Sequence, residues 1–315
     1  MKVVVPEKIS AQGLKVFADA GFQVVQLTPA AVASGELARE LADAEALVVR
    51  SAVQVTPELI AAAPRLRVIG RAGVGVDNVN VPAATARKIV VMNTPGGSSV
   101  AVAELALGLM LALARHIPRA DAGMHAGQWE KKSLEGSELM GKTLGLAGCG
   151  RIALEVARRA AAFGMSLIAY DTAEPMQAAR QAGIELVDWE QLLTRADYLS
   201  LHVSLTPASR GLLNDAAFAK MKPGARIVNC ARGEVIDEEA LRRALDSGVV
   251  AGAALDVYGK EPPAADAPLP RHPQVIAMPH IGASTCEAQE RVGVAIAEQI
   301  RDYLTAGAIA NAVNA

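Results

Sequence analysis

Aromatic side chains are scarce: 4 Phe, 4 Tyr and 2 Trp make up 3% of 315 residues. So few rings exclude the stacking platforms that bind single-stranded nucleic acid. They leave a core of Ala, Val, Leu and Ile, the palette of buried parallel strands covered by helices. Neither sign of charge is in excess, since 31 Lys+Arg face 33 Asp+Glu for a formal net charge of -2. That balance lacks the basic surplus of a nucleic-acid protein. The 3 cysteines, Cys149, Cys230 and Cys286, are odd in number and share no CxxC spacing. Neither a disulfide framework nor a metal site is expected from them. Long apolar runs are missing as well: Leu105 to Ala114 is about half of the roughly 20 residues a membrane span needs. Met1 to Pro6 reads as a strand and not as a signal peptide. These absences together lead to the expectation of a cytoplasmic protein with no membrane and no nucleic-acid partner.

What is present is an alternation. At roughly 150 residues per domain the length corresponds to about two domains. Short β-branched runs recur at Val3 to Val5, Val24-Val25, Ala46 to Val49, Arg67 to Gly70 and Ile89 to Met92. Between them lie helix patterns at Ser10 to Ala20, near Ser34 to Ala42, and from Thr56-Pro57, a cap followed by Pro in the first turn. A long apolar helix pattern follows from Ser98 to Ala114, broken in its apolarity by Glu104 and Gly108, and then a polar, irregular stretch from His116 to Met140. A second series places strands at Leu144–Ala147, Leu167–Tyr170, Tyr198–Leu201, Arg226–Asn229, Gly252–Leu255 and Val275–Ala277, with a last helix from Cys286 to Leu304. This βα repetition predicts an α/β chain with two doubly wound parallel sheets.

The strongest local signal is Leu144-Gly145-Leu146-Ala147-Gly148-Cys149-Gly150-Arg151-Ile152-Ala153. It reads G-x-G-x-x-A after a strand and at the opening of a helix. Gly148 permits the tight turn, Gly150 lets backbone approach a pyrophosphate, and Ala153 permits close packing of helix on strand. The helix start supplies free N–H groups for the phosphates. Asp171 closes the next strand, 23 positions after Gly148, where a carboxylate suits the ribose hydroxyls of NAD and repels the 2′-phosphate of NADP. NAD is therefore the expected cofactor. A second cluster, Gly70 to Asn78, also reads G-x-G but opens no helix pattern. It is either an anion-holding loop or a plain turn.

Three charged residues sit at strand ends in Gly/Pro-rich loops: Arg232, Glu261 and His280. Ligands bind outside the carboxyl ends of strands in open α/β sheets. An Arg fork can hold a substrate carboxylate, a His can take a hydroxyl proton as hydride leaves carbon, and a nearby carboxylate raises the pKa of that His. Each taken singly is as well explained by structure. His116, His125 and His272 lack a comparable setting, and His202 ranks below His280.

These runs, in order, resemble the D-isomer-specific 2-hydroxyacid dehydrogenases: Arg50-Ser51, Gly70 to Asn78, Asn93-Thr94-Pro95, Trp129 to Leu139, Gly145 to Ile152, Asn229 to Gly233, Gly252 to Pro262 and Pro279 to Ser284. The resemblance implies a Rossmann nucleotide-binding domain, 97–285, inserted into a flavodoxin-like substrate-binding domain of 1–96 plus 286–315. It implies catalysis by Arg232, Glu261 and His280. It implies NAD contacts at Val74, Gly148, Gly150, Arg151, Ile152, Asp171, Val203, Cys230, Ala231, Arg232, Asp256, His280, Gly282 and Ala283. For an anionic substrate it implies Arg50, Ser51, Arg71, Gly73, Val74, Gly75, Arg232 and His280, with Lys131 or Lys132 reaching in from a partner subunit. A homodimer or tetramer is implied, with Trp129 to Leu139 crossing the dimer interface. The expected reaction is NAD-dependent oxidation of D-3-phosphoglycerate to 3-phosphohydroxypyruvate, at the entry to serine synthesis. Glyoxylate or hydroxypyruvate reduction is the alternative, and a non-catalytic, NAD-sensing corepressor-like protein a remote one. Three positions depart from the family pattern: Ala153 for Gly, Cys149 for an aliphatic residue, expected as a buried inert thiol, and Ser98 for Asn. Longer family members carry regulatory domains that bind serine, and with the chain ending at Ala315 no serine inhibition is expected.

Overall fold

A computed structural model describes residues 1–172 and 176–315. The chain divides into two compact units, one of Met1–Ser98 with Ala283–Ala315 and the other of Ser99–Gly282. In the first, β1 (Lys2–Val5), β2 (Gln23–Gln26), β3 (Ala46–Val49), β4 (Val68–Arg71) and β5 (Val90–Met92) run parallel in the order β2-β1-β3-β4-β5. That is the flavodoxin-like order. Successive side chains alternate across a strand. Val3 and Val5 therefore enter one core with Phe17, Val48, Ile296 and Ile300, and Val4 enters the other with Leu41, Leu47, Val49 and Ile69. Strand β3 is buried along its whole length, which is why Ala-Leu-Val-Val is apolar without alternation.

Polar caps start the covering helices by satisfying first-turn N–H groups. The Ser10 hydroxyl accepts from Gly13 N at 3.1 Å before Ala11–Asp19, and Thr56 accepts from Leu59 N at 3.3 Å before Pro57–Ala61. Helix Cys286–Ala306 packs on Ala11–Asp19, so closely that a Cβ at Gly13 would stand 2.5 Å from the Gly293 carbonyl oxygen.

The second unit holds β6 (Thr143–Ala147), β7 (Ser166–Tyr170), β8 (Glu185–Leu186), β9 (Tyr198–Leu201), β10 (Ala225–Asn229), β11 (Val250–Leu255) and β12 (Val275–Ala277). All are parallel, in the order β12-β11-β10-β9-β6-β7-β8. This is the doubly wound dinucleotide-binding order with one more strand at the far edge. The chain starts at β6, runs outward to β8 and then returns to the other side of β6 at β9. The reversal between β6 and β9 opens the crevice where such sheets take ligands. Helix Ser99–Arg115 packs on Arg151–Ala162. It is unbroken at Glu104, which pairs with Arg159 at 3.2 Å, and at Gly108, around which there is open space.

Three elements differ from the sequence expectation. The polar stretch after His116 contains a helix, Ile117–His125, turned 67° from its predecessor, with His116 in the left-handed region at φ 54°. The helix expected near Ser34 to Ala42 runs over Glu36–Leu41, and a further short helix, Pro29–Ala33, precedes it, the two parted at Gly35, whose φ of 82° breaks the run. Strand β8 is two residues long and half polar, too short for any periodicity to reveal. Among the described residues no single helix is long and apolar enough to cross a membrane.

Candidate active site

The turn after β6 carries the glycine fingerprint. Gly148 has φ 89°, and a Cβ there would meet the His202 carbonyl oxygen at 2.8 Å, so only glycine fits. Open space surrounds Gly150, which begins the helix Arg151–Ala162 without a side-chain cap. The first-turn N–H groups of that helix thus have no side-chain cap, and the helix dipole favours negative charge there. Asp171, just past β7, accepts from Cys149 N at 2.7 Å, so its carboxylate is locked to the fingerprint turn. Burial, with Asp171 close by, pushes the Cys149 thiol up and keeps it protonated. The uncapped helix start, the cradle that a Cβ would fill and the placed carboxylate fit a dinucleotide such as NAD. Val203 lines the same turn, its Cγ1 3.1 Å from the position of a Gly148 Cβ.

Arg232, Glu261 and His280 come together at the ends of β10, β11 and β12. His280 Nδ1 and Glu261 Oε2 are 2.6 Å apart. Tyr258 N donates to the other carboxylate oxygen of Glu261 at 3.0 Å. The Glu261 hydrogen bond raises the His280 pKa above its ordinary value, against burial and the Arg232 charge, which lower it. Burial pushes the Glu261 carboxyl up, but His280 and the Tyr258 N–H outweigh it and leave it low. The pair is thus a carboxylate holding one imidazole nitrogen, with Nε2 left for chemistry on the solvent side. His280 sits at φ 55°, a strained setting for a non-glycine residue.

Its neighbours hold that conformation. Asp256 accepts from Ile281 N and Gly282 N, each at 2.8 Å, one per carboxylate oxygen. Burial raises the Asp256 pKa, partly offset by those two N–H groups. The Arg232 turn is held from inside: the fully buried Asn229 amide donates to Arg232 O at 2.9 Å and accepts from Ala231 N at 3.0 Å. Arg232 Nη1 donates to Ala231 O at 2.7 Å. Gly233 presses on Tyr258 and Gly259, where a Cβ would come within 1.9 Å of the Tyr258 carbonyl carbon. Gly259 N in turn donates to Glu238 Oε1 at 2.7 Å. Reading for charged groups at strand ends misses Asn229 and Glu238, because their work is on backbone atoms. Asn229, polar at the buried end of a strand, is the one that carries a visible signal. Cys230, beside Asn229, has a thiol that burial and the nearby Asp256 charge keep protonated. His202 bonds the Ser200 hydroxyl at 2.9 Å, and burial lowers its pKa to about 4, so it stays neutral.

The remaining expected substrate residues lie in the other unit, at the end of β4 and on the loops after β3 and β4. Arg50 and Ser51 follow β3, with Arg50 N bonded to Glu7 at 2.8 Å. Arg71 folds over Gly73, where a Cβ would overlap its guanidinium. Val74 O accepts from Asn93 Nδ2 at 2.6 Å, leaving the Val74 side chain exposed beside Gly75. Lys131 and Lys132 form an exposed single turn, Lys131–Ser133, in the second unit.

Residues 107–282 match the family described as "D-isomer specific 2-hydroxyacid dehydrogenase, NAD binding domain". The chain is 46% identical over 314 residues to D-3-phosphoglycerate dehydrogenase of Rattus norvegicus, covering all of this chain and 58% of that protein. It thus spans little more than half the length of that relative. A solved protein from Thermus thermophilus is 35% identical with a TM-score of 0.90, over 99% of this chain and 100% of that one. A glyoxylate reductase from Paecilomyes thermophila is 31% identical with a TM-score of 0.87, over 99% and 98%.

Proposed function

The chain belongs to the D-isomer-specific 2-hydroxyacid dehydrogenase family, and from that premise we propose that it oxidises D-3-phosphoglycerate to 3-phosphohydroxypyruvate with NAD. The observation that carries the reading is the His280–Glu261 pair at 2.6 Å beside the Arg232 turn. Arg232 holds the substrate carboxylate and C2 oxygen in its planar fork. His280 Nε2 takes the C2 hydroxyl proton, and Glu261 stabilises the imidazolium that results. Bound NAD supplies the hydride acceptor. Gly148, Gly150, Arg151 and Ile152 hold its pyrophosphate, Asp171 its ribose hydroxyls, and Val203, Cys230, Ala231, Asp256, Gly282 and Ala283 line the nicotinamide end. Arg50, Ser51, Arg71 and the Gly73-Val74-Gly75 loop take the phosphate end of the substrate.

The same reading includes a homodimer. Ile117, Met124, Trp129 and Met140 lie close in sequence, and all are exposed, Trp129 by 78%. Large apolar side chains exposed along one segment suit a protein interface. A cytoplasmic location completes the proposal. Reduction of glyoxylate or hydroxypyruvate is the second reading, favoured by the similarity to a glyoxylate reductase. One experiment separates them: NADH absorbance with D-3-phosphoglycerate, D-glycerate, glyoxylate and hydroxypyruvate. The proposal expects the highest kcat/KM for the phosphorylated acid. A higher value for glyoxylate overturns it.

A further inference from the structure

The loop after β3 is held through its backbone by two side chains from outside it. Glu7, two residues past β1, takes three of its backbone N–H groups on one carboxylate: Arg50 N at 2.8 Å and Val53 N at 3.3 Å on Oε2, and Ala52 N at 2.9 Å on Oε1. From the opposite side Asn78 Nδ2 donates to Arg50 O at 3.0 Å and to Val53 O at 2.7 Å. The Arg50 guanidinium reaches back to Lys8 O at 3.4 Å. Of the four consecutive N–H groups from 50 to 53, that of Ser51 takes no protein partner among the described residues. Of the loop's side chains only Val53 is buried in the core, while Ser51 and Ala52 are exposed. A cavity of about 810 Å³, bounded by Leu27, Val32, Leu37 and Val53, lies along it. A loop with one buried side chain is held largely by its hydrogen bonds, and those to a charged group are the stronger ones.

We propose that Glu7, backed by Asn78, is the positioning residue for recognition of the substrate's phosphate. By taking the N–H groups of Arg50, Ala52 and Val53 it fixes the loop so that the Arg50 side chain and the Ser51 N–H and hydroxyl stand ready for a dianion. The inference rests on the dehydrogenase reading and deepens it. Binding energy that needs no loop ordering at the moment of association is gained as affinity, so the clamp acts on KM and leaves the chemistry at His280 alone.

Glu7→Gln tests this, because an amide puts a donor where the carboxylate accepts. With D-3-phosphoglycerate its KM rises about ten-fold and kcat stays within about two-fold. KM for NAD does not move, and kcat/KM for unphosphorylated D-glycerate falls far less. A defect of folding alone lowers activity on both acids together. Asn78→Ala and Glu7→Asp, which remove parts of the clamp, show smaller rises in the same KM and serve where Glu7→Gln does not fold. Folded variants with unchanged KM for phosphoglycerate, or with equal losses on both acids, overturn the inference alone. A wild-type chain inactive on both acids overturns the dehydrogenase reading and this inference with it.

Discussion

Two glutamates, one in each unit, put a carboxylate to different uses. Glu261 spends one oxygen on a titratable side chain, His280 Nδ1 at 2.6 Å, and the other on the Tyr258 N–H. Glu7 spends both on backbone, the N–H groups of Arg50, Ala52 and Val53. The first alters when a proton moves, and the second alters where a loop stands. The same group thus serves chemistry at Glu261 and geometry at Glu7. What decides is the partner, a ring nitrogen or an amide.

The largest effect expected on the Glu261 side is loss of the imidazole itself. His280→Ala lowers kcat for oxidation by about 10²–10⁴, the usual worth of a positioned acid or base. NAD affinity, read by nucleotide fluorescence titration, falls far less, since the fingerprint turn is built without His280. Turnover at the wild-type rate would remove His280 from the mechanism and erase the contrast between the two glutamates.

Next comes the carboxylate. Glu261→Gln keeps the side chain's shape and removes its charge. The hydrogen bond from Glu261 is the first cause of the raised His280 pKa, and burial opposes it. Without the charge the imidazole releases its proton at lower pH. Oxidation needs the neutral ring, so in the wild type its rate climbs with pH through a midpoint above the ordinary His value, and in Glu261→Gln that midpoint moves down. Turnover on the plateau falls by about 10–10², because the remaining base is weaker and less well oriented. The pH profile of kcat/KM is the check. An unmoved midpoint would mean that Glu261, like Glu7, only holds backbone.

Legibility in the sequence follows the same division. The fingerprint, Asp171 and the Arg232, Glu261 and His280 loops could be read because side chains of a chemical type stand at strand ends beside glycines. The structure groups the last three within one unit and ties Asp171 to the turn at Cys149 N. Glu7, Asn78 and Glu238 could not be read, and Asn229 only through its polarity at a buried strand end. Each bonds main-chain atoms, and main-chain atoms look alike in every residue. The helix Ile117–His125 was hidden for a related reason: its face is largely exposed, and exposed residues leave no apolar period. In the sheets the strands were legible because burial on two faces forces apolar runs, as in β3 and β9. The two-residue β8 was not.

Asp171 stands between the two glutamates and gives the smallest effect expected. It already serves geometry through Cys149 N at 2.7 Å, and the dehydrogenase reading gives it a binding role toward the ribose hydroxyls of NAD. Asp171→Asn separates the two. An amide oxygen can still accept from Cys149 N, so the turn keeps its bond and thermal unfolding shifts little. The charge is gone, so hydroxyl donors on the ribose lose a charged acceptor, which lowers kcat/KM for NAD by about ten-fold. The repulsion toward a 2′-phosphate goes too, so kcat/KM for NADP holds or rises and the preference between cofactors narrows. Asp171→Ala removes both roles, and it loses stability as well as preference because Cys149 N is left buried without an acceptor. If Asp171→Asn keeps the full preference for NAD, Asp171 belongs with Glu7 as a residue of geometry, and specificity for NAD lies elsewhere in the crevice.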